Sequence, residues 1–221
     1  MAFAAPMRLV LASNNAKKLA ELAALLANLP IELVAQGPLG VEEAEEPHAT
    51  FVENALAKAR HAAAATGGAA VADDSGLVVE ALGGAPGVAS AVYAGEVQVP
   101  AGSDREARRA AQDAANNTKL LAAMQGESNR RCAFVCTLVA LRHAHDPEPL
   151  VATGRWAAEV LHAPRGGGGF GYDPLVFVPA LGSSVAELEA AVKNRTSHRT
   201  LAAAALREML AERWFAGRAA R

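Results

Sequence analysis

The chain has 221 residues, 52% of them hydrophobic, and a formal net charge of −2; that is enough apolar material to bury a core in one domain or one domain of two lobes. With 21 basic against 23 acidic residues there is no cationic excess for a phosphate backbone, so a nucleic-acid polymer is not an expected partner. No apolar run approaches the roughly 18 residues of a membrane span, and Met1 to Pro6 does not read as an export signal; a soluble cytoplasmic protein without a membrane partner is expected.

In chain order, Arg8 to Ala12 is a short apolar run suited to a buried strand. The polar turn Ser13-Asn14-Asn15-Ala16-Lys17-Lys18 follows, and then Leu19, Leu22, Leu25, Leu26 and Leu29 recur at helical spacing. Strand, turn and helix in that order aim backbone N–H groups and a positive dipole end at an anion. A plain N-cap with solvated lysines accounts for the same residues. Ile31 to Ala35 is a second strand candidate. Glu42, Glu43, Glu45 and Glu46 then form a solvated loop or supply a carboxylate to a Mg²⁺ site. Thr50 and Glu53 make a capping box that opens a helix ended by Gly67-Gly68. Asn54 and Lys58 share a face of that helix; Lys58 reads as a surface lysine, with a phosphate contact as the alternative.

The apolar run from Ala69 to Ala72 meets Asp73-Asp74-Ser75-Gly76 and then resumes. Buried carboxylates without partners are costly, so paired acids at the end of a core strand point to a task. Neighbouring side chains on a strand face opposite ways, so the two acids should do different things. One is expected to be held by backbone N–H groups of a following turn and the other to project into a cleft. An Asp-rich turn capped by Ser75 and Gly76 is the plainer reading.

Beyond an irregular Gly83–Ser90 loop, Asp104 caps a helix to Gln125, with Asn116, Asn117 and Lys119 on its surface or end. Arg131 to Leu141 reads as a central strand and Leu150 to Leu161 as a return strand broken by Gly154. Cys132 and Cys136 read as buried small hydrophobes in a reducing compartment. His143 and His145 lack a further ligand at zinc spacing. From Gly166 to Gly171 five of six residues are glycine, and Phe170, Tyr172 and Asp173 punctuate the stretch. A loop that approaches a planar ligand, with Phe170 or Tyr172 for stacking, explains both features. Ala186 to Val192 is a short helix, and Ser197 caps a last helix over Thr200–Phe215. His198 and Arg199 then fall in its first turn, against the macrodipole, unless an acceptor sits opposite.

The segments LASNNAKKLAEL, FVENALAKAR, ADDSGLVVEALGGAPG, GGFGYDPLVFVP and SHR, in that order, cover about Arg8 to Leu210. In them the chain resembles the inosine triphosphate pyrophosphatase family. The resemblance implies one two-lobed domain over residues 1–221: an α/β fold with an elongated mixed β-sheet, flanking helices and a central cleft. It implies a Mg²⁺-dependent homodimer that hydrolyses the deaminated purine triphosphates ITP, dITP and XTP to monophosphate and pyrophosphate. Ser13, Asn15 and Lys18 match the family's phosphate-binding turn, so Ser13, Asn14, Asn15, Ala16, Lys17 and Lys18 are candidate substrate contacts. Glu45, with Glu46 its neighbour, and Asp74 match the metal acids, Asp74 also being the proton acceptor and Asp73 its partner. Lys58 and Ser75 match triphosphate and substrate contacts, Phe170, Gly171, Tyr172 and Asp173 the base-binding loop, and Lys193, His198 and Arg199 the remaining contacts. Where the family's turn carries glycines, Asn14 and Lys17 stand, and Lys17 would be strained in a left-handed conformation. Val92 stands where an arginine is common. A Maf-type pyrophosphatase, or a nucleotide sensor without turnover, is the competing expectation.

Overall fold

The computed structural model describes residues 5–100 and 102–216. The strands are β1 Met7–Leu11, β2 Ile31–Ala35, β3 Ala69–Val79, β4 Arg131–Leu141, β5 Leu150–Val160, β6 Val176–Val178 and β7 Ser183–Ser184. They join in one mixed sheet of order β2-β1-β3-β4-β5-β6-β7. β1 is parallel to β2 and to β3, while β6 is antiparallel to β5 and to β7. Parallel neighbours need crossovers, and α1 Ala16–Leu26 and α2 Phe51–Thr66 supply them. The remaining helices are α3 Arg105–Ala123, α4 Ala190–Thr196 and α5 His198–Arg213. None among the described residues is long and apolar enough to cross a membrane.

The chain divides into two compact units, one of Met1–Asp74, Cys136–Gly154 and His198–Arg221, the other of Ser75–Val135 and Arg155–Ser197. In the first, strand alternation sorts the apolar residues into two layers. Leu9, Leu11 and Val71 join Leu22 and Leu26 of α1 and Leu206 and Leu210 of α5. Val10, Ala70 and Ala72 instead meet the alanine face of α2, made of Ala55, Ala59, Ala62 and Ala63. Small side chains on that face let α2 lie close to the strands. The second unit buries Leu77, Val79, Leu120, Met124, Phe134, Trp156 and Leu175 together. Cys132 and Cys136 are free and buried, and burial pushes both thiols up to about 12.

The elements differ from the sequence reading in several places. β5 is not broken at Gly154; glycine stands there because a Cβ would lie 2.0 Å from the His198 carbonyl oxygen. The short helix is Ala190–Thr196 rather than 186–192. Val185–Glu187 forms a tight turn instead, in which the Ser184 N–H donates to Glu187 Oε2 at 2.8 Å. The last helix is His198–Arg213, so His198 and Arg199 lie in its first turn as expected, and it ends before Phe215.

Candidate active site

β3 runs through Asp73 and Asp74 without a turn, which overturns the reading of an Asp-rich turn after the apolar run. A strand can continue through two buried acids because each finds side-chain partners on its own face. Asp73 turns towards α1 and α5. Lys18 Nζ donates to its Oδ1 at 2.9 Å, and Arg199 Nε lies 3.7 Å from Oδ2, an ion-pair distance longer than a hydrogen bond. Arg199 Nη1 also donates to Glu21 Oε2 at 3.1 Å, so the acceptors that a first-turn arginine requires are present. Side-chain cations, not backbone N–H groups, hold Asp73.

Asp74 turns to the opposite face, towards α2. Asn54 Nδ2 donates to its Oδ2 at 3.2 Å, and Lys58 Nζ to its Oδ1 at 3.2 Å. Lys58 is therefore no surface lysine: it is buried, and it also meets Glu46 Oε1 at 3.0 Å. The helical spacing that put Asn54 and Lys58 on one face is what brings both to one carboxylate. Asn54 further ties down the acidic loop, since its Oδ1 accepts from the His48 N–H at 3.0 Å. The ionic contact beside Asp74 falls on Glu46, although both Glu45 and Glu46 are exposed.

The two acids differ in electrostatics as well as in direction. Burial alone would raise the Asp73 carboxyl, but Lys18 and Arg199 outweigh it and hold it at about 2. Burial raises Asp74, Lys58 only partly offsets this, and the nearby Glu46 adds to the rise. Burial disfavours the Lys58 ammonium, yet Asp74 and Glu46 prevail and lift it above its ordinary value. Two carboxylates thus share one ammonium, leaving excess negative charge. That donor set suits Mg²⁺, which takes one or two carboxylates and completes its shell with water and substrate phosphates. Among the described residues no group of three or more His, Cys, Asp or Glu is placed to hold a metal ion.

The depressed Asp73 value has a testable consequence. A carboxyl at about 2 when folded, against an ordinary 3.8, stabilises the fold fully above its unfolded value. That contribution disappears as pH falls through the folded one. The difference corresponds to about 2 kcal/mol. Urea unfolding between about pH 5 and pH 2 should show this loss in the parent chain and a correspondingly smaller one in Asp73→Asn. Equal pH slopes in both would remove Asp73 from the account.

The turn before α1 is built by its own side chains. Ser13 Oγ accepts from the Asn15 N–H at 3.2 Å, and Asn15 Oδ1 caps the helix by accepting from the Lys18 N–H at 3.2 Å. Asn14 Nδ2 donates to Glu43 Oε1 at 3.3 Å, and Ala16 opens α1 with an exposed side chain. The capping expected of this turn is present, but Lys18 is committed to Asp73 rather than solvated. Lys17 sits in helix α1, and no non-glycine residue among those described has positive φ, so the anticipated strain is absent. The Lys17 side chain lies outside the described residues.

In the second unit, the Gly166–Asp173 loop is braced from within. Asp173 is buried, and its Oδ2 accepts from the Phe170 N–H at 2.9 Å and from Lys193 Nζ of α4. Burial raises the Asp173 carboxyl, against the pull of Lys193. Gly169 has a φ of 76°, and a Cβ there would meet Asp173 Oδ2 at 2.1 Å, so only glycine permits the brace. Of the two aromatics offered for stacking, Tyr172 is buried and donates its hydroxyl to the Ser90 carbonyl at 2.9 Å, which makes it an anchor. Phe170 keeps 46% of its surface exposed. Ser75 follows Asp74 on β3, half-buried. His198 opens α5 beside Arg199.

Sequence reasoning missed Glu21 as the partner of Arg199, and it missed the donor role of Asn54. Asn116 is not at the helix surface or end that its position suggests. It is buried, accepting from the Ala94 N–H at 2.8 Å and donating to the Ala91 carbonyl at 3.0 Å.

Comparison with known proteins bears on this geometry. The model of the Ham1 family matches residues 9–209. A dITP/XTP pyrophosphatase from Methylibium petroleiphilum is 67% identical over 210 residues, covering 95% of this chain and 100% of that protein. One from Leptothrix cholodnii is 64% identical over 211 residues, covering 94% and 99%. The solved HAM1 protein from Coxiella burnetii superposes with a TM-score of 0.84 at 42% identity, covering 93% of this chain and 99% of that one.

Proposed function

Since the chain belongs to the Ham1 family, we propose that it hydrolyses deaminated purine nucleoside triphosphates, ITP, dITP and XTP, to the monophosphate and pyrophosphate. The observation that carries this reading is the buried Asp74 carboxylate, fixed by Asn54 and Lys58 beside Glu46. The names of the relatives support the substrate class.

Asp74 and Glu46 are the residues that would hold Mg²⁺, with Glu45 the acid put forward from the family resemblance; the shared contact with Lys58 favours Glu46. Bound there, the ion would polarise phosphate oxygens and offset their charge. Asp74, its Oδ2 held by Asn54 and its Oδ1 by Lys58, is the carboxylate suited to take a proton from the attacking water. Lys18, the Ser13–Lys18 turn and Lys58 supply the donors and positive charge that a triphosphate needs. Phe170 offers its ring to the base, and Gly171, Tyr172, Asp173 and Lys193 shape the loop that carries it.

Selectivity follows from hydrogen-bond donors aimed at the 6-oxo group, from Lys193, His198, Arg199 or backbone N–H groups. Adenine presents a donor of its own at that position, and a donor left unpaired in a buried site rejects it by roughly 10⁴-fold or more. A panel of ITP, dITP, XTP, GTP, dUTP and ATP, read as pyrophosphate against orthophosphate, tests the proposal. Pyrophosphate from the deaminated purines with ATP inert is the expected result. Preference for dUTP would indicate a Maf-type enzyme, and binding without turnover a sensor. A homodimer in the reducing cytoplasm completes the proposal, consistent with two free buried cysteines; sedimentation of the purified chain reads the oligomeric state.

A further inference from the structure

One face of α3 grips the glycine-aromatic loop at three successive turns. Arg109, Asp113 and Asn117 stand four residues apart on that helix, so they lie on one side of it. The Arg109 guanidinium carbon is 4.7 Å from the centroid of the Phe170 ring, within cation–π reach. Asp113 Oδ2 accepts from the Gly171 N–H at 2.8 Å, and Asn117 Nδ2 donates to the Gly171 carbonyl at 2.9 Å. Both backbone groups of Gly171 are thereby occupied, and the ring before it is held against a cation. Gly171 has a φ of 61°, so its peptide groups take an orientation that few other residues would adopt unaided. The Lys193 ammonium lies 4.5 Å from the same Phe170 centroid, which places the exposed ring in contact with cations from both α3 and α4.

We infer that Arg109, Asp113 and Asn117 are positioning residues that fix the base-reading loop, and so govern base discrimination without acting on the phosphates. This rests on the function proposed above, in which that loop meets the purine. A loop held at Gly171 presents the Phe170 ring in one orientation, so the ordering entropy is not charged to the nucleotide. Acidic, amide and guanidinium side chains on a polar helix would otherwise be solvated; here each is spent on the one loop.

The experiment compares Arg109→Ala, Arg109→Lys and Asn117→Ala with the parent chain in two readouts. Hydrogen exchange over residues 166–173 reports the clamp itself, independent of substrate. Steady-state kinetics with ITP and ATP report its consequence. Both alanine variants should exchange faster in the loop, raise KM for ITP about five- to tenfold, and lower the ITP-to-ATP ratio of kcat/KM, with kcat within about twofold. Arg109→Lys keeps a cation on the ring and should stay within about twofold of the parent. Unchanged exchange with unchanged KM overturns the inference. Faster exchange with an unaltered KM and substrate ratio overturns it too, because the loop would then not be reading the base. Failure of the parent chain to release pyrophosphate from ITP is a separate result that removes the functional reading itself.

Discussion

Asp74→Asn should lose about 10³- to 10⁴-fold in kcat for ITP while binding the nucleotide within a few-fold of the parent chain. Asp74 sits mid-strand with both oxygens engaged, Oδ2 by Asn54 and Oδ1 by Lys58. An asparagine keeps the shape, but its amide nitrogen must face one of those two donors, and it cannot take a proton from water. The remaining carboxylate beside Lys58 would be Glu46, which is 47% exposed and less fixed. In the function proposed above, ground-state affinity would rest on groups other than Asp74, the turn around Lys18 among them, so binding should persist. The test pairs single-turnover pyrophosphate release with nucleotide titration by calorimetry. Hydrolysis within about tenfold of the parent would show that another group takes the proton, and loss of binding would show that Asp74 serves mainly to order the site.

Gly154→Ala should lower stability by about 3 kcal/mol or more. An added Cβ would stand 2.0 Å from the His198 carbonyl oxygen, 2.5 Å from the Ala202 nitrogen and 2.9 Å from Leu201 Cβ. Two of these three are backbone atoms of α5, which no rotamer change can move aside. The helix must lift from β5, and with it Arg199, whose contacts with Glu21 and Asp73 depend on that seating. For a chain of this size each kcal/mol is worth roughly 2–4 °C, so a fall in Tm of roughly 6–12 °C is expected. An unchanged Tm would mean that the close approach of helix and strand is not what fixes glycine at this position.

Much of the site was legible in local pattern. The alternation of a strand placed Asp73 and Asp74 on opposite faces, and they lie there, one towards α1 and α5, the other towards α2. Helical spacing put Asn54 and Lys58 together, and Thr50 caps α2 with its side chain accepting from the Glu53 N–H. The Arg199 conflict with the helix dipole signalled an acceptor, and Glu21 and Asp73 provide it. Pattern failed where burial reverses the usual character of a residue. Lys58 and Asn116 are polar residue types that normally face water, and nothing within their own helices shows which strand or loop will cover them.

What the sequence determined by itself was whatever neighbours along the chain can enforce: the strand and helix periods, the caps, the glycine-bearing turns and the direction of each acid. These follow from backbone geometry over a few residues. Only the tertiary structure decided the partners. It chose Glu46 beside Lys58, Lys18 on Asp73 across 55 residues, and Arg199 on Glu21 across 178. It also made Tyr172 an anchor and left Phe170 as the exposed ring. The physical reason is that a charge or a ring acquires its role from what desolvates and faces it. Those groups are brought together by packing, which no local period records.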